Sequence, residues 1–226
     1  MRKRIWDWIK DLLPTYSWGP LVACFMLNVF GYYIPRVVNH LVGAHYHDLA
    51  LPIDDKIPFV PAFILVYVAS YVTWYLGYAL ICREHPKNSE VIFADVIAKT
   101  LCMVIFMLYP TSIQRPEVTG SGFLPWLVRF IYAADSPDNL FPSIHCLESW
   151  IVFRGMLRCR RVGSGVKAGY LVLALLVFAS TVLVKQHVVA DIPAGMLAGE
   201  IGLMISHRLK LGDRYAAWCA RKMEAA

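Results

Sequence analysis

The sequence predicts an all-α integral membrane protein: a six-transmembrane-helix bundle with an interfacial helix in a long outer loop. Three observations carry this. The 226 residues are 58% hydrophobic and only 17% charged, whereas an ordinary soluble domain is about half apolar and about a quarter charged. Apolar runs recur at roughly the length a ~30 Å hydrocarbon core demands. The basic residues behind the formal charge of +6 gather between alternate runs, as cytoplasmic loops do. Because the runs are continuous, without two-residue alternation, a transmembrane barrel is excluded.

The chain opens on MRKRIWDWIKDLLP. Ile5, Trp6, Trp8, Ile9, Leu12 and Leu13 recur there at helical spacing, and no small-residue cleavage pattern follows. Residues 1–14 therefore read as an interfacial amphipathic helix rather than a cleaved signal. Six spans follow, at 18–34, 59–82, 91–109, 143–157, 168–184 and 188–205. Arg2 to Lys10, Arg83 and Lys87, Arg154 to Lys167, and Arg208 to Lys222 all fall on one side. That side is cytoplasmic and holds both termini. Arg36, Lys56, Arg115, Arg129 and Lys185 remain outside, so the positive charge argues orientation rather than a nucleic-acid partner.

No repeat or linker divides the chain, and 1–226 reads as one membrane domain. Two outer segments, 35–58 and 110–142, are longer than a connection requires. The second carries Leu124, Trp126, Leu127, Phe130 and Ile131 at a spacing suited to a helix lying on the membrane. Tyr215 and Trp218 suggest either a similar helix or a disordered tail at the C-terminus. The six cysteines show no C-x-x-C spacing, which indicates neither a disulfide framework nor a zinc site. His45, His47 and Asp48 read as a solvated loop, and no metal or other cofactor is expected.

Polar residues that a bilayer normally excludes gather at the outer ends of the last three spans: Arg115-Pro116, Pro142-Ser143-Ile144-His145 and Lys185-Gln186-His187, then Asp191. On a helix His187 and Asp191 share a face. The carboxylate then holds one imidazole nitrogen as N–H and leaves the other free as a nucleophile. His145 begins another helix at the same membrane face and offers the complementary proton role. Spans two, four and six all start there, so three helix N-termini converge on one anion. The Ser143 hydroxyl and the Arg115 fork add phosphate donors.

These residues resemble the type 2 phosphatidate phosphatase superfamily, whose motifs are K-x6-R-P, P-S-G-H and S-R-x5-H-x3-D. This chain matches them at Arg115-Pro116, at Pro142, Ser143 and His145, and at Ser180, His187 and Asp191. The resemblance implies six helices and a metal-independent reaction. In it His187 attacks phosphorus to give a phosphohistidine, Asp191 orients it, and His145 protonates the leaving alkoxide and then activates the acceptor. The family Lys is replaced by Leu108, the Gly by Ile144 and the Arg by Thr181. Lys185 and Gln186 are candidates for the lost contacts, a snorkelling lysine being the alternative. Reduced motifs of this kind are similar to the inositol phosphorylceramide synthase-like branch, where an alcohol replaces water as acceptor.

The expected function is thus a lipid phosphatase or a phosphotransferase, with a membrane lipid as substrate and an alcohol as alternative acceptor. A small transporter is the competing class, since Asp95, Lys99, Glu148 and Glu200 are intramembrane charges. Asp95 and Lys99 are spaced as an i,i+4 ion pair, and Glu200 lies at a depth that would let it join them. Glu148, one turn after His145, either tunes that imidazole, meets the head group or bonds a neighbouring helix.

Overall fold

The computed structural model describes residues 14–224; the N-terminal amphipathic segment expected at 1–14 lies almost wholly outside them. Eight α-helices follow in order: α1 Trp18–Leu41, α2 Ile64–Cys82, α3 Glu90–Leu108, α4 Phe123–Ala134, α5 Ile144–Arg158, α6 Ser164–Leu183, α7 Asp191–Arg208 and α8 Leu211–Glu224. Among the described residues there is no strand, only isolated bridges at His47–Thr111 and Ser112–Asp138.

Among the described residues, four helical segments are long and apolar enough to cross a membrane: Thr15–Leu41, Pro61–Cys82, Pro86–Leu108 and Ser164–Leu183. α5 and α7 fall short for physical reasons. α5 has 15 residues and carries Glu148, Arg154 and Arg158. α7 carries Asp191, Glu200 and Arg208 in its 18 residues. These two polar helices are central. α7 packs against α3 and α5, and α5 also meets α2, α3 and α6, while α1 lies along α3. Leu147, Ile151 and Met156 of α5 join Trp74, Ile92, Phe106 and Leu203 in the main core. Val22, Phe30, Val72, Leu76, Val172 and Leu197 point outward, so the helices present apolar side chains to their surroundings as well as to one another.

α7 approaches its neighbours through glycines. A Cβ on Gly195 would collide with the Ser143 carbonyl and lie 3.0 Å from Cys146 Cβ, and one on Gly202 would strike the Ala94 carbonyl. Small residues let helix backbones close up in this way. We expect Gly195→Ala to destabilise the protein by ~1–3 kcal/mol, the usual cost of overpacking. Thermal unfolding in detergent would measure it, and an unchanged midpoint would show that α5 and α7 yield freely here.

The long connections after α1 and α3 are tied down by hydrogen bonds to backbone groups. Val60 N donates to Leu183 O at 2.9 Å and Ser112 N to His47 O at 3.0 Å, while Thr111 Oγ1 accepts from Leu140 N and Phe141 N. At the other end α8 is an ordered amphipathic helix. Lys87 Nζ meets Asp213 at 2.7 Å, which holds that exposed carboxyl below the usual range. Tyr215 donates to the Tyr16 carbonyl.

Candidate active site

Asp191 is the first residue of α7, where the helix N-terminus favours a carboxylate. Its Oδ2 lies 3.0 Å from His187 Nδ1 and accepts from Val188 N at 3.2 Å. The two residues are not neighbours on one helix, as the i,i+4 reading expected. His187 sits in the turn between α6 and α7, where Gln186 N and His187 N both donate to Thr181 O. The outcome is the same pairing, reached by a turn that folds the imidazole back over the helix start. With Nδ1 held by the carboxylate, Nε2 is the free nitrogen.

Ser143 is the N-cap of α5, and its Oγ accepts from Cys146 N. This cap starts the helix and places His145 in its first turn. The His145 and His187 rings stand 6.0 Å apart, tilted 59°. His145 is walled by α2: Tyr67 stacks on it at 4.0 Å, with Tyr71 and Trp74 edge-on at 5.2 and 5.1 Å. Its Nε2 is buried without a partner.

Arg115 and Gln186 are brought together. The guanidinium donates to Gln186 Oε1 and to the Asp135 carbonyl and lies over the Tyr132 ring. Arg115 Nε and Gln186 Nε2 remain buried donors with no acceptor, a pair suited to an anion. Lys185 is engaged by backbone carbonyls. Its Nζ donates to the carbonyls of Asp54 and Ile57 at 2.8 and 2.7 Å, so it anchors the loop before α2 while bordering a cavity shared with Arg115 and His187. Val189 N likewise donates to Asp54 Oδ1.

Two cavities border His187. One, of about 340 Å³, is lined by His145, His187, Tyr67, Tyr71, Trp74 and Glu148 among others. The other, of about 530 Å³, opens among Asp48, Asp54, Arg115, Lys185 and His187. Beside the first, burial pushes the Asp135 carboxyl above its usual range, with Arg115 the largest opposing influence.

The charged residues within α3, α5 and α7 separate into two groups. Lys99 Nζ lies 2.7 Å from Asp95 Oδ2, 2.5 Å from Glu148 Oε1 and 3.2 Å from Cys24 Sγ. Cys24, Asp95 and Glu148 converge closely enough to ligate a metal, but the ammonium occupies their centre. Glu200 does not join them; it accepts from Trp150 Nε1 and pairs with Arg154. His47 stacks on Tyr109 at 4.2 Å, and no metal-ligating group forms around it among the described residues.

Sequence reasoning missed the aromatic wall and the part of α1. Tyr67, Tyr71 and Trp74 recur at i, i+4 and i+7, a readable stripe hidden in a uniformly apolar run. Cys24 and Asn28 of α1 both reach Glu148, and no motif marks either.

The fold and the site thus define a multi-pass, all-helical membrane protein with a carboxylate-held histidine facing a second histidine across a cavity. No protein-family model, curated protein or solved structure matches the chain.

Proposed function

We propose that the protein is an integral membrane lipid phosphatase that hydrolyses a phosphate monoester or diphosphate through a phosphohistidine on His187. The observation that carries this reading is the Asp191–His187 pair facing His145 across 6.0 Å on one cavity wall. In the first step His187 Nε2 bonds to phosphorus while the bond to the leaving oxygen breaks and His145 supplies its proton. In the second, water attacks phosphorus, His145 takes the water's proton, and the P–N bond breaks. Asp191 stabilises the imidazolium that forms at His187. Arg115 and Gln186, with the N-termini of α5 and α7, hold the phosphate oxygens.

In this reading α5 and α7 cross the membrane beside the four apolar helices. Both termini are cytoplasmic, the site lies at the opposite face, and α4 rests at the interface. Membrane crossing by short polar helices is reasonable where neighbours cover them, and α5 and α7 are covered by α2, α3 and α6. An apolar groove of about 420 Å³ between α1 and α2, lined by Trp18, Phe25, Met26, Val72 and Leu76, offers room for an acyl chain.

Transfer to an alcohol, as in the synthase-like branch that the motifs resemble, is the second reading. The polar outer cavity favours it, because it gives an acceptor its own approach to His187. One assay separates the two: purified protein is incubated with phosphatidate, with and without inositol. Inorganic phosphate is expected in both cases if water is the acceptor, and inositol monophosphate in the second if an alcohol is. Neither product from phosphatidate, a diphosphate or a phosphodiester lipid would sink the enzyme reading.

A further inference from the structure

The two histidines are held by opposite means. Asp191 takes Nδ1 of His187 at 3.0 Å, and a carboxylate in that place balances the charge the imidazole acquires as it reacts. Among the described residues no carboxylate pairs with His145, and its Nε2 is buried without a partner. Yet the reaction needs that imidazole to start as the cation, because it protonates the leaving oxygen. A buried imidazolium with no counter-ion in contact is costly.

What surrounds His145 instead is aromatic. Tyr67 stacks on the imidazole with ring centroids 4.0 Å apart and planes within 21°, while Tyr71 and Trp74 meet it at 79° and 65°. The rings are fixed from outside. Tyr67 is buried against Ile64, Val128 and Val184, and Trp74 Nε1 donates at 2.9 Å to Ser149 Oγ, one turn after His145 on α5. A ring face attracts a cation through its quadrupole, most strongly where water is excluded. A carboxylate in the same place would also repel the phosphate that the cavity must hold, and a neutral ring does not. The charged groups bordering the cavity are engaged elsewhere: Arg36 by Asp138, Glu148 by Lys99, and Asp135 between Arg36, 3.7 Å away, and Arg115, which donates to its carbonyl. His187, with its ring 6.0 Å away, opposes a second positive charge.

We propose that Tyr67, Tyr71 and Trp74 form an aromatic cage that holds His145 as the imidazolium, so that α2 keeps the general acid charged before substrate arrives. The three are positioning residues, acting through His145. This role rests on the phosphatase reading and adds to it the means by which its acid carries a proton without a carboxylate partner. As the P–O bond breaks, that proton passes to the leaving oxygen, and the cage is left around a neutral ring ready to accept a proton from water.

The test is the pH profile of kcat/KM for phosphate release from hexadecyl phosphate. It reports the free enzyme, so the charge of a bound phosphate does not enter. The profile falls on the alkaline side as His145 loses its proton. Tyr67→Phe keeps the ring and is expected to keep that limb in place. Tyr67→Leu removes the ring face and should move the limb to lower pH by about one unit, the size of one desolvated cation–π contact. Tyr67 replaced by 3,4,5-trifluorophenylalanine keeps the packing but withdraws charge from the ring face, and should move the limb the same way by about half a unit or more. The ionisation of the ester is common to all these proteins and cancels in the comparison. A limb that the trifluorinated ring leaves where Tyr67→Phe has it overturns the proposal, whatever leucine does. If no phosphate is released at any pH, the phosphatase reading has failed, and His145 itself then decides the cage. Deuterium exchange at its C2 carbon, followed by mass spectrometry, titrates with the ring. A lower midpoint with the trifluorinated ring than with Tyr67→Phe supports the cage, and equal midpoints overturn it.

Discussion

Replacing His187 by alanine is expected to abolish lipid phosphate turnover and the covalent intermediate together. The imidazole is the nucleophile of the first step, and loss of a nucleophile in enzymes with covalent intermediates costs about 10⁴-fold or more. His187 is also a conservative place to cut. It lies in a turn whose backbone bonds to Thr181 O do not involve the side chain, so the fold should survive. The second half of the prediction concerns His145. His145→Ala removes the leaving-group acid and the base that activates water, worth about 10²–10⁴-fold. With an ester whose leaving group needs no proton, the first step persists and the second stalls. Radiolabelled p-nitrophenyl phosphate should therefore label His145→Ala protein, with a bond stable in alkali and labile in acid, as a phosphoramidate is. It should leave His187→Ala unlabelled. Label on His187→Ala protein, or full turnover by it, would remove the nucleophile from the scheme.

The helices were legible because hydrophobic runs and basic turns are strong local signals. The run expected at 91–109 is the helix Glu90–Leu108, and the run at 168–184 lies within Ser164–Leu183 and its cap. The start of α7 was displaced from 188 to Asp191 because Val188, Val189 and Ala190, which end the turn, are as apolar as the helix after them. Periodicity does not distinguish the two. The pairing of His187 with Asp191 was legible from spacing alone, although the conformation that produces it was not. Lys185 shows the converse. Its place beside His187 suggested a phosphate contact, and spacing gave no sign that its Nζ also bonds the carbonyls of Asp54 and Ile57. Contacts between distant segments were the least legible. Nothing in the local sequence tells that Cys24 and Asn28 meet Glu148, or that Asp138 takes Arg36, because those pairings depend on which helices become neighbours.

Lys99→Met is expected to be among the most damaging single substitutions in the protein, although it makes the chain more apolar. Lys99 and both its carboxylate partners have 0% side-chain exposure, and Asp95 Oδ1 and Glu148 Oε2 already lack partners. Removing the ammonium leaves two carboxylates face to face with no compensating charge. Breaking a buried pair in this way costs roughly 3–5 kcal/mol, and the cost should appear as a large fall in unfolding temperature or in monodisperse yield. The same principle predicts a rescue. Adding Asp95→Asn and Glu148→Gln to Lys99→Met removes every formal charge from the cluster, and the triple variant should recover most of the lost stability, since a buried ionic group gains little over a neutral, well-packed one. Rescue of stability need not rescue turnover. Cys24 belongs to α1, Asp95 and Lys99 to α3 and Glu148 to α5, so the ammonium fixes the register of three helices at once. Glu148 stands one turn from His145, and an α5 that shifts by even ~1 Å moves that imidazole out of reach of the leaving oxygen. The triple variant should therefore be folded but slow. If Lys99→Met unfolds at the wild-type temperature, the carboxylates take up protons at no cost, and the cluster does not hold the site in place.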